Sequence, residues 1–510
     1  MNKKYKIVIV LLLAVFMLRI CLSKDKKKED NLLTAPDAAV PFVITPREQT
    51  FALPVHPEIF GINIGFAFKR ELDKDSGFVQ LLRALHPNSL RFPGGTVANY
   101  YHPKLPVYGY KLGEIPPGLG TLFMEQSKRS ENILYNFIRL AKSVNTGVVY
   151  CANVYTGTTA EVLFVIEELK KNNIPILGVE LGNEFCLMEY RNKFPNAKVY
   201  IDKIKATAAA VRNKYHDLKI VVIGGDGVPA GETNARSKFM RGWNDVLSKE
   251  NFFNAFTWHP YQDCPPCDND AYFDNLYTKN MNTLAPQATN YLLGLGGYLM
   301  QQYGPARKLW ITEWNLGNLN FLDNTFLQGA YVFENFLTMA DLNVRYNNYI
   351  EVSNLHSIDG LITIQKGKLK PLMSNGIDMT TVQYYAFQFL AGTMNKNMYR
   401  GSEFIATKDT SLRRKFVCQL YMNKAEHSTY VYFVNRTGKK IQLTINAPVK
   451  SKVQLKAIEA EFPYATAGKT YYEKEYPNKL KSVSYRDELL SSKTATVMPY
   501  AFGYVTFSNE

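Results

Sequence analysis

The sequence predicts a (β/α)8 TIM barrel with a C-terminal β-sandwich. Between residue 60 and about residue 394, short apolar runs alternate with amphipathic helical stretches, giving eight βα units in roughly 330 residues. After about residue 400 the period switches to alternating strands separated by polar turns. At 510 residues the chain exceeds what one simple core supports.

The barrel strands fall at Phe60–Phe66, Ser89–Phe92, Gly147–Asn153, Leu177–Leu181, Lys219–Ile223, Ala255–His259, Leu309–Thr312 and Tyr349–Leu355. Runs such as "KIVVI" are apolar without a break, as strands buried on both faces must be. Helical stretches between them include 131–144, 159–172, 200–216, 236–249, 288–303 and 325–341. In the first, Ile133, Phe137, Leu140 and Ala141 recur at helical spacing. A last helix, "TVQYYAFQFLAGTM", follows the eighth strand. A doubly wound open sheet is the competing architecture, but no Gly-rich phosphate loop joins the first strand to a helix. The barrel domain is read as 55–398 and the β-sandwich as 399–510, with 41–54 adding N-terminal strands to the sandwich.

The opening 30 residues stand apart. Lys3, Lys4 and Lys6 precede an apolar run from Ile7 to Leu18, the layout of an export signal, too short for a membrane span. Three readings remain open: a cleaved signal, a lipidated Cys21 on a charged tether, or an uncleaved anchor attaching the chain to a membrane. Each places the protein outside the cytoplasm. The C-x-x-C pair Cys264/Cys267 suits a small loop disulfide in an exported chain. Cys151 and Cys186 are either buried thiols or a pair. The net charge of +15 comes from scattered lysines with one dense run, and no nucleic-acid motif accompanies it.

Barrel enzymes carry their chemistry at the C-terminal ends of the strands. Strand four ends in Asn183 and Glu184, strand seven in Glu313, and these strands lie nearly across the barrel from one another. Two carboxylates facing each other over a pocket are what glycoside cleavage requires: one ionised to attack the anomeric carbon, one protonated for the leaving oxygen. Arg91 at the end of strand two and the hydroxyl of Tyr261 are placed to hold Glu313 as the carboxylate. Glu184 then carries the proton. Asn183 is placed for a sugar 2-hydroxyl, Trp314 offers a ring face, and His259 and Asn153 complete the candidate substrate-binding set. Asp226, Asn354 and His356 also sit at strand ends, where polar residues equally serve as caps and turn formers. No His cluster with metal-ligand spacing is present, so neither a metal nor another cofactor is expected.

The motifs "ELGNE" at 180–184, "WHPY" at 258–261 and "ITEWN" at 311–315 resemble those of clan A glycoside hydrolases. In that clan the strand-four Glu is the acid/base and the strand-seven Glu the nucleophile. The resemblance implies retaining double displacement, with Glu184 and Glu313 in those roles. "LRFPGGT" and "ANVYTGT" bring the likeness closer to family 51 α-L-arabinofuranosidases and to the family 79 β-glucuronidases that include heparanase. The likeness spans roughly residues 55–510. Two departures weigh against arabinofuranose: Thr96 stands where family 51 usually has Asn, and no acid follows strand one until Glu71. The reading is a retaining glycosidase acting on carbohydrate outside the cytoplasm, with α-L-arabinofuranosidase-like or β-glucuronidase-like specificity. Its rival is a glycan-binding surface protein built on a non-catalytic glycosidase barrel.

Overall fold

Eight parallel strands close on themselves in the computed structural model, which describes residues 39–508 apart from 65–70, 106–108, 117–131, 230, 264–291, 293, 318–324, 357–360, 363, 366–367, 370–379, 408–414, 447–452 and 461–482. After an N-terminal strand, β1 (Val40–Pro54), the barrel begins with β2 (Gly61–Asn63), β3 (Ser89–Phe92), β4 (Gly147–Ala152) and β5 (Ile176–Leu181). It continues with β6 (Ile220–Ile223) and β7 (Ala255–Thr257), and finishes with β9 (Lys308–Gly317) and β10 (Ile350–His356). Each pairs in parallel with the next, and β10 pairs with both β9 and β2, which closes the ring. A short strand, β8 (Tyr261–Asp263), pairs with the far end of β9 beyond the rim. That pairing explains why the seventh barrel strand runs on to Gly317 rather than stopping at Thr312.

The helices α1 (Ser76–Ala84), α2 (Ile133–Val144), α3 (Thr159–Lys171), α4 (Ala197–Lys214) and α5 (Ala235–Leu247) follow successive strands. The helical residues 294–303 (α6) precede β9. Two more, α7 (Phe326–Arg345) and α8 (Val382–Ala391), follow β9 and β10. Local sequence sets their ends. In α3, Thr158 and Glu161 form a reciprocal capping box; in α2, Asn145 closes the helix in the left-handed conformation at φ 57°. The apolar face of α2 is buried as its spacing requires, with Phe137 stacked on Phe92 of β3 at 4.3 Å. The short α1 is absent from the sequence reading, although Asp75 caps it and Phe78, Val79 and Leu82 share its buried face.

Inside the barrel floor, Val149, Val221, Ala255, Trp310 and Val352 form a separate apolar plug. The bottom of the barrel is therefore filled, which leaves the C-terminal mouth for a site.

The second layer is a nine-stranded, mostly antiparallel sheet that folds over its own apolar core. It comprises β1, β13 (Met398–Ala406), β14 (Phe416–Asn423), β15 (Ser428–Asn435), β16 (Ile441–Ile445), β17 (Val453–Glu459), β18 (Ser484–Leu490), β19 (Thr494–Val497) and β20 (Ala501–Ser508). A small hairpin, β11 (Ile364–Gln365) with β12 (Lys368–Leu369), lies between the two layers in sequence. β1 links the two halves of the sheet, antiparallel to β13 and parallel to β16. Helix α7 is buried almost all round because it lies between the barrel and this sheet: Phe326 and Phe333 pack on Phe502 at 5.6 and 5.1 Å. The buried pair Glu334 and Arg436 also spans that junction. Among the described residues no helix is long and apolar enough to cross a membrane. The N-terminal 38 residues with Cys21, and the Cys264/Cys267 pair, lie outside the described residues. Cys151 and Cys186 are separate buried thiols, not a pair.

Candidate active site

Glu184 reaches the mouth of the barrel through an unusual turn. Gly182 after β5 has φ 101°, and a Cβ there would lie 2.3 Å from the Phe185 ring. Glu184 itself has φ 55°. Left-handed backbone at a long side chain costs of order 1–3 kcal/mol and persists where the surroundings impose it. The imposing group is Asn99, from the turn after β3. Its amide oxygen accepts the Asn183 N–H at 3.0 Å, and its amide nitrogen donates to the Asn183 carbonyl at 2.9 Å. One buried side chain thus fixes both backbone groups beside Glu184.

Glu313 arrives from β9, three strands away. Between the pairs Ser353–Ile311 and Leu355–Trp314, β9 spends one more residue than β10. This bulge lets both Thr312 and Glu313 face the barrel. Glu313 is 5% exposed. Its Oε1 accepts from Arg91 Nη1 at 2.6 Å and its Oε2 from the Tyr261 hydroxyl at 2.9 Å. The Gly95 backbone passes close by: a Cβ there would lie 3.4 Å from Glu313 Oε1.

Arg91 is fully buried and organises the floor of the site. Its Nε and Nη2 bind the two oxygens of Glu180 at 2.7 and 2.8 Å, and Nη2 also donates to Asn183 Oδ1 at 2.8 Å. His259 Nδ1 lies 3.0 Å from Glu184 Oε1, and its Nε2 lies 2.8 Å from Thr312 Oγ1.

The electrostatics favour charge on Glu313. Burial opposes charge on Glu313, but the positive potential of His259 and Arg91 outweighs it, and the carboxyl is held well below its usual range. Burial likewise lowers the basicity of His259, but Glu313 and Glu184 reverse this and raise it. Burial, with the neighbouring Glu313 charge, pushes the Tyr261 phenol upward, so it remains a hydrogen-bond donor.

Six of the sequence-predicted residues therefore meet: Glu184, Glu313, Arg91, Asn183, His259 and Tyr261. Two do not serve as expected. Trp314 is 1% exposed, donates from Nε1 to Ser353 Oγ at 2.7 Å and meets Phe336 edge-on at 4.8 Å. The bulge turns its ring outward toward α7, so it offers no face to a sugar. Asn153 is consumed by its own loop. Its amide donates to the Tyr101 carbonyl and Thr156 hydroxyl and accepts from the Tyr155 and Thr156 N–H groups. All four of its hydrogen-bonding positions are filled. Of the other strand-end residues, Asp226 pairs with Arg236, Asn354 bonds Ser89, and the His356 ring lies 6.0 Å from that of Tyr261.

One oxygen each of Glu184 and Glu313 and one His259 nitrogen lie within 4.8 Å of one another. A cation placed there would compete with the Arg91 guanidinium and the Tyr261 hydroxyl, which already occupy both Glu313 oxygens. The donor set suits a carboxylate kept ionised by protein groups. Beside the pair, a cavity of about 440 Å3 opens between β5, β6 and β7, its wall formed in part by Glu184, Glu189, Asp226, Phe239, His259 and Tyr261.

No family model matches the sequence, and no curated protein matches it. Solved structures do match over nearly the whole chain. The family 51 α-L-arabinofuranosidase AbfB from Bifidobacterium longum superposes with a TM-score of 0.65 at 13% identity, covering 92% of this chain and 100% of its own. The GH51 arabinofuranosidase from Xanthomonas axonopodis pv. citri gives 0.63 at 14%, again with 92% and 100% coverage. A family 44 endoglucanase from Clostridium acetobutylium gives 0.58 at 10%, covering 93% and 100%. At these identities the shared property is the fold: this chain has the barrel-plus-β-sandwich architecture of those glycoside hydrolases.

Proposed function

We propose that the protein is a retaining glycoside hydrolase. The observation that carries this reading is the pairing of Glu184 and Glu313 across the barrel mouth, with one oxygen of each within 4.8 Å of the other. Retaining enzymes hold their carboxyl groups about 5–5.5 Å apart, whereas inverting enzymes leave about 6.5–9.5 Å for a water.

In the first step Glu313 attacks the anomeric carbon as the glycosidic C–O bond breaks, and the leaving oxygen takes the proton of Glu184. Arg91 and Tyr261 hold the two Glu313 oxygens in place. They keep the group ionised until the new bond forms. In the second step Glu184 removes a proton from water, the water oxygen bonds the anomeric carbon, and Glu313 leaves as carboxylate. Glu184 ends protonated, ready for another cycle. Asn183, held by Arg91 and Asn99, is assigned to a sugar hydroxyl next to the reacting carbon.

We assign α-L-arabinofuranosidase-like or β-glucuronidase-like specificity and a setting outside the cytoplasm. Fold similarity to family 51 enzymes supports the first specificity, the motifs support both, and the N-terminal signal supports the setting. The test is a screen of nitrophenyl α-L-arabinofuranoside, β-D-glucuronide, β-D-xyloside, β-D-glucoside and β-D-galactoside, beside Glu313→Ala and Glu184→Ala. Turnover of one glycoside that disappears in Glu313→Ala is expected. Turnover that survives Glu313→Ala contradicts the assignment.

A further inference from the structure

Glu180 and Thr312 have no direct place in the two-step chemistry, yet both are buried beneath His259. Glu180 accepts two N–H groups from Arg91 and, on Oε1, faces the Thr312 hydroxyl at 3.3 Å. Thr312 Oγ1 in turn lies 2.8 Å from His259 Nε2. A hydroxyl has one proton to give. A carboxylate gripped by a guanidinium has none, so the contact with Glu180 uses the Thr312 proton. The Thr312 oxygen must then accept from His259, which places a proton on Nε2. In neutral His259 the other nitrogen, Nδ1, is consequently a bare lone pair, and it faces Glu184 Oε1 at 3.0 Å. Two acceptors face one another there unless a proton lies between them.

We infer that Glu180 and Thr312 are positioning residues that fix the Nε2–H tautomer of His259, so that Glu184 and His259 jointly retain one proton for delivery to the leaving group. The inference rests on the glycosidase reading only for the use made of that proton; the tautomer itself is a property of the free protein. Burial opposes retention of the proton on His259, and so does Arg91; Glu313, Glu184 and the Glu180 carboxylate at 3.9 Å act the other way and prevail. If the tautomer were free, neutral His259 would instead present Nδ1–H to the Glu184 carboxylate, and that hydrogen bond would stabilise the proton-poor state.

The experiment is 15N–1H correlation spectroscopy of the full chain labelled at histidine. His259 is assigned by its loss in His259→Asn and followed through a pH titration in the wild type, Thr312→Val and Thr312→Ser. The inference expects neutral His259 to carry its proton on Nε2 in the wild type and in Thr312→Ser. In Thr312→Val the proton moves to Nδ1, and the pair loses its shared proton about one pH unit lower. Neutral wild-type His259 protonated on Nδ1 overturns the inference without reference to any variant. An unchanged tautomer in folded Thr312→Val overturns it as well. No substrate enters this measurement, so its outcome is separate from that of the glycoside screen.

Discussion

Arg91 binds Glu313 and Glu180 with one guanidinium, and the Arg91–Glu313 contact, 2.6 Å between two buried side chains, ties the proposed nucleophile to the barrel interior. Against the pull of burial, His259 and then Arg91 keep Glu313 ionised. A carboxyl whose folded pKa lies below its unfolded value adds stability at pH values above the unfolded pKa, about 4.3. That stability is lost as pH falls through the folded pKa. Replacing Arg91 by Met removes the charge and leaves two buried carboxylates uncompensated, at a cost of about 3–5 kcal/mol. The expected outcome is a large drop in melting temperature, a loss that lessens in acid, and an acid limb of the activity profile displaced to higher pH. Calorimetry across pH and rate profiles check it.

Tyr261 makes one hydrogen bond to the ionised Glu313 and lies in the short strand β8 at the rim. A hydrogen bond to a charged group contributes about 1.5–3 kcal/mol. Tyr261→Phe is expected to lower kcat/KM by about 10- to 150-fold, with the melting temperature nearly unchanged. Steady-state kinetics beside thermal unfolding separates this from a general loss of structure.

Asn99 holds the backbone on which Glu184 adopts φ 55°. Asn99→Ala leaves a buried N–H and C=O without their partner, at about 1–3 kcal/mol each. Activity is expected to fall through kcat rather than KM, since the displaced group is the proposed acid and not a proposed binding contact. An unchanged kcat in a folded Asn99→Ala protein would show that the turn holds itself.

Trp314 packs outward on Phe336 and α7, away from the cavity. Trp314→Phe is expected to reduce stability by about 1–3 kcal/mol through lost packing and the orphaned Ser353 hydroxyl, with KM unaltered. Melting curves and KM for the substrate found in the screen test the two halves of the statement.

At the junction of barrel and sheet, Glu334 and Arg436 are buried together. Breaking a buried pair from one side costs about 3–5 kcal/mol, whereas replacing both members by apolar residues of similar volume is often neutral. Arg436→Met alone is expected to be strongly destabilising, and Glu334→Leu with Arg436→Met close to the wild type in urea unfolding.

The architecture was legible because unbroken apolar strands alternate with helices whose apolar residues recur at helical spacing. The candidate acids were legible because strand ends in such a barrel converge. What escaped depends on side-chain direction. Trp314 follows Glu313 directly, but the bulge in β9 brings Thr312 and Glu313 to one side and turns the tryptophan to the other. Asn153 has the composition of a site residue, and its local turn takes up all four hydrogen bonds. Glu180 was visible as a charge inside the apolar run "ILGVEL", where only a buried cationic partner makes it tolerable. Asn99 carried no such signal, since its role arises from two loops meeting across 84 positions of sequence.

In the proposed mechanism Glu313 forms a covalent bond to the sugar. The most direct measurement is peptide mass mapping after incubation with activated 2-fluoro glycosides of arabinofuranose and glucuronic acid, which slow release of a covalent intermediate. One glycosyl adduct is expected, on the peptide containing Glu313 and absent from Glu313→Ala. An adduct on any other residue, or hydrolysis of these reagents with inversion and no adduct, would contradict it.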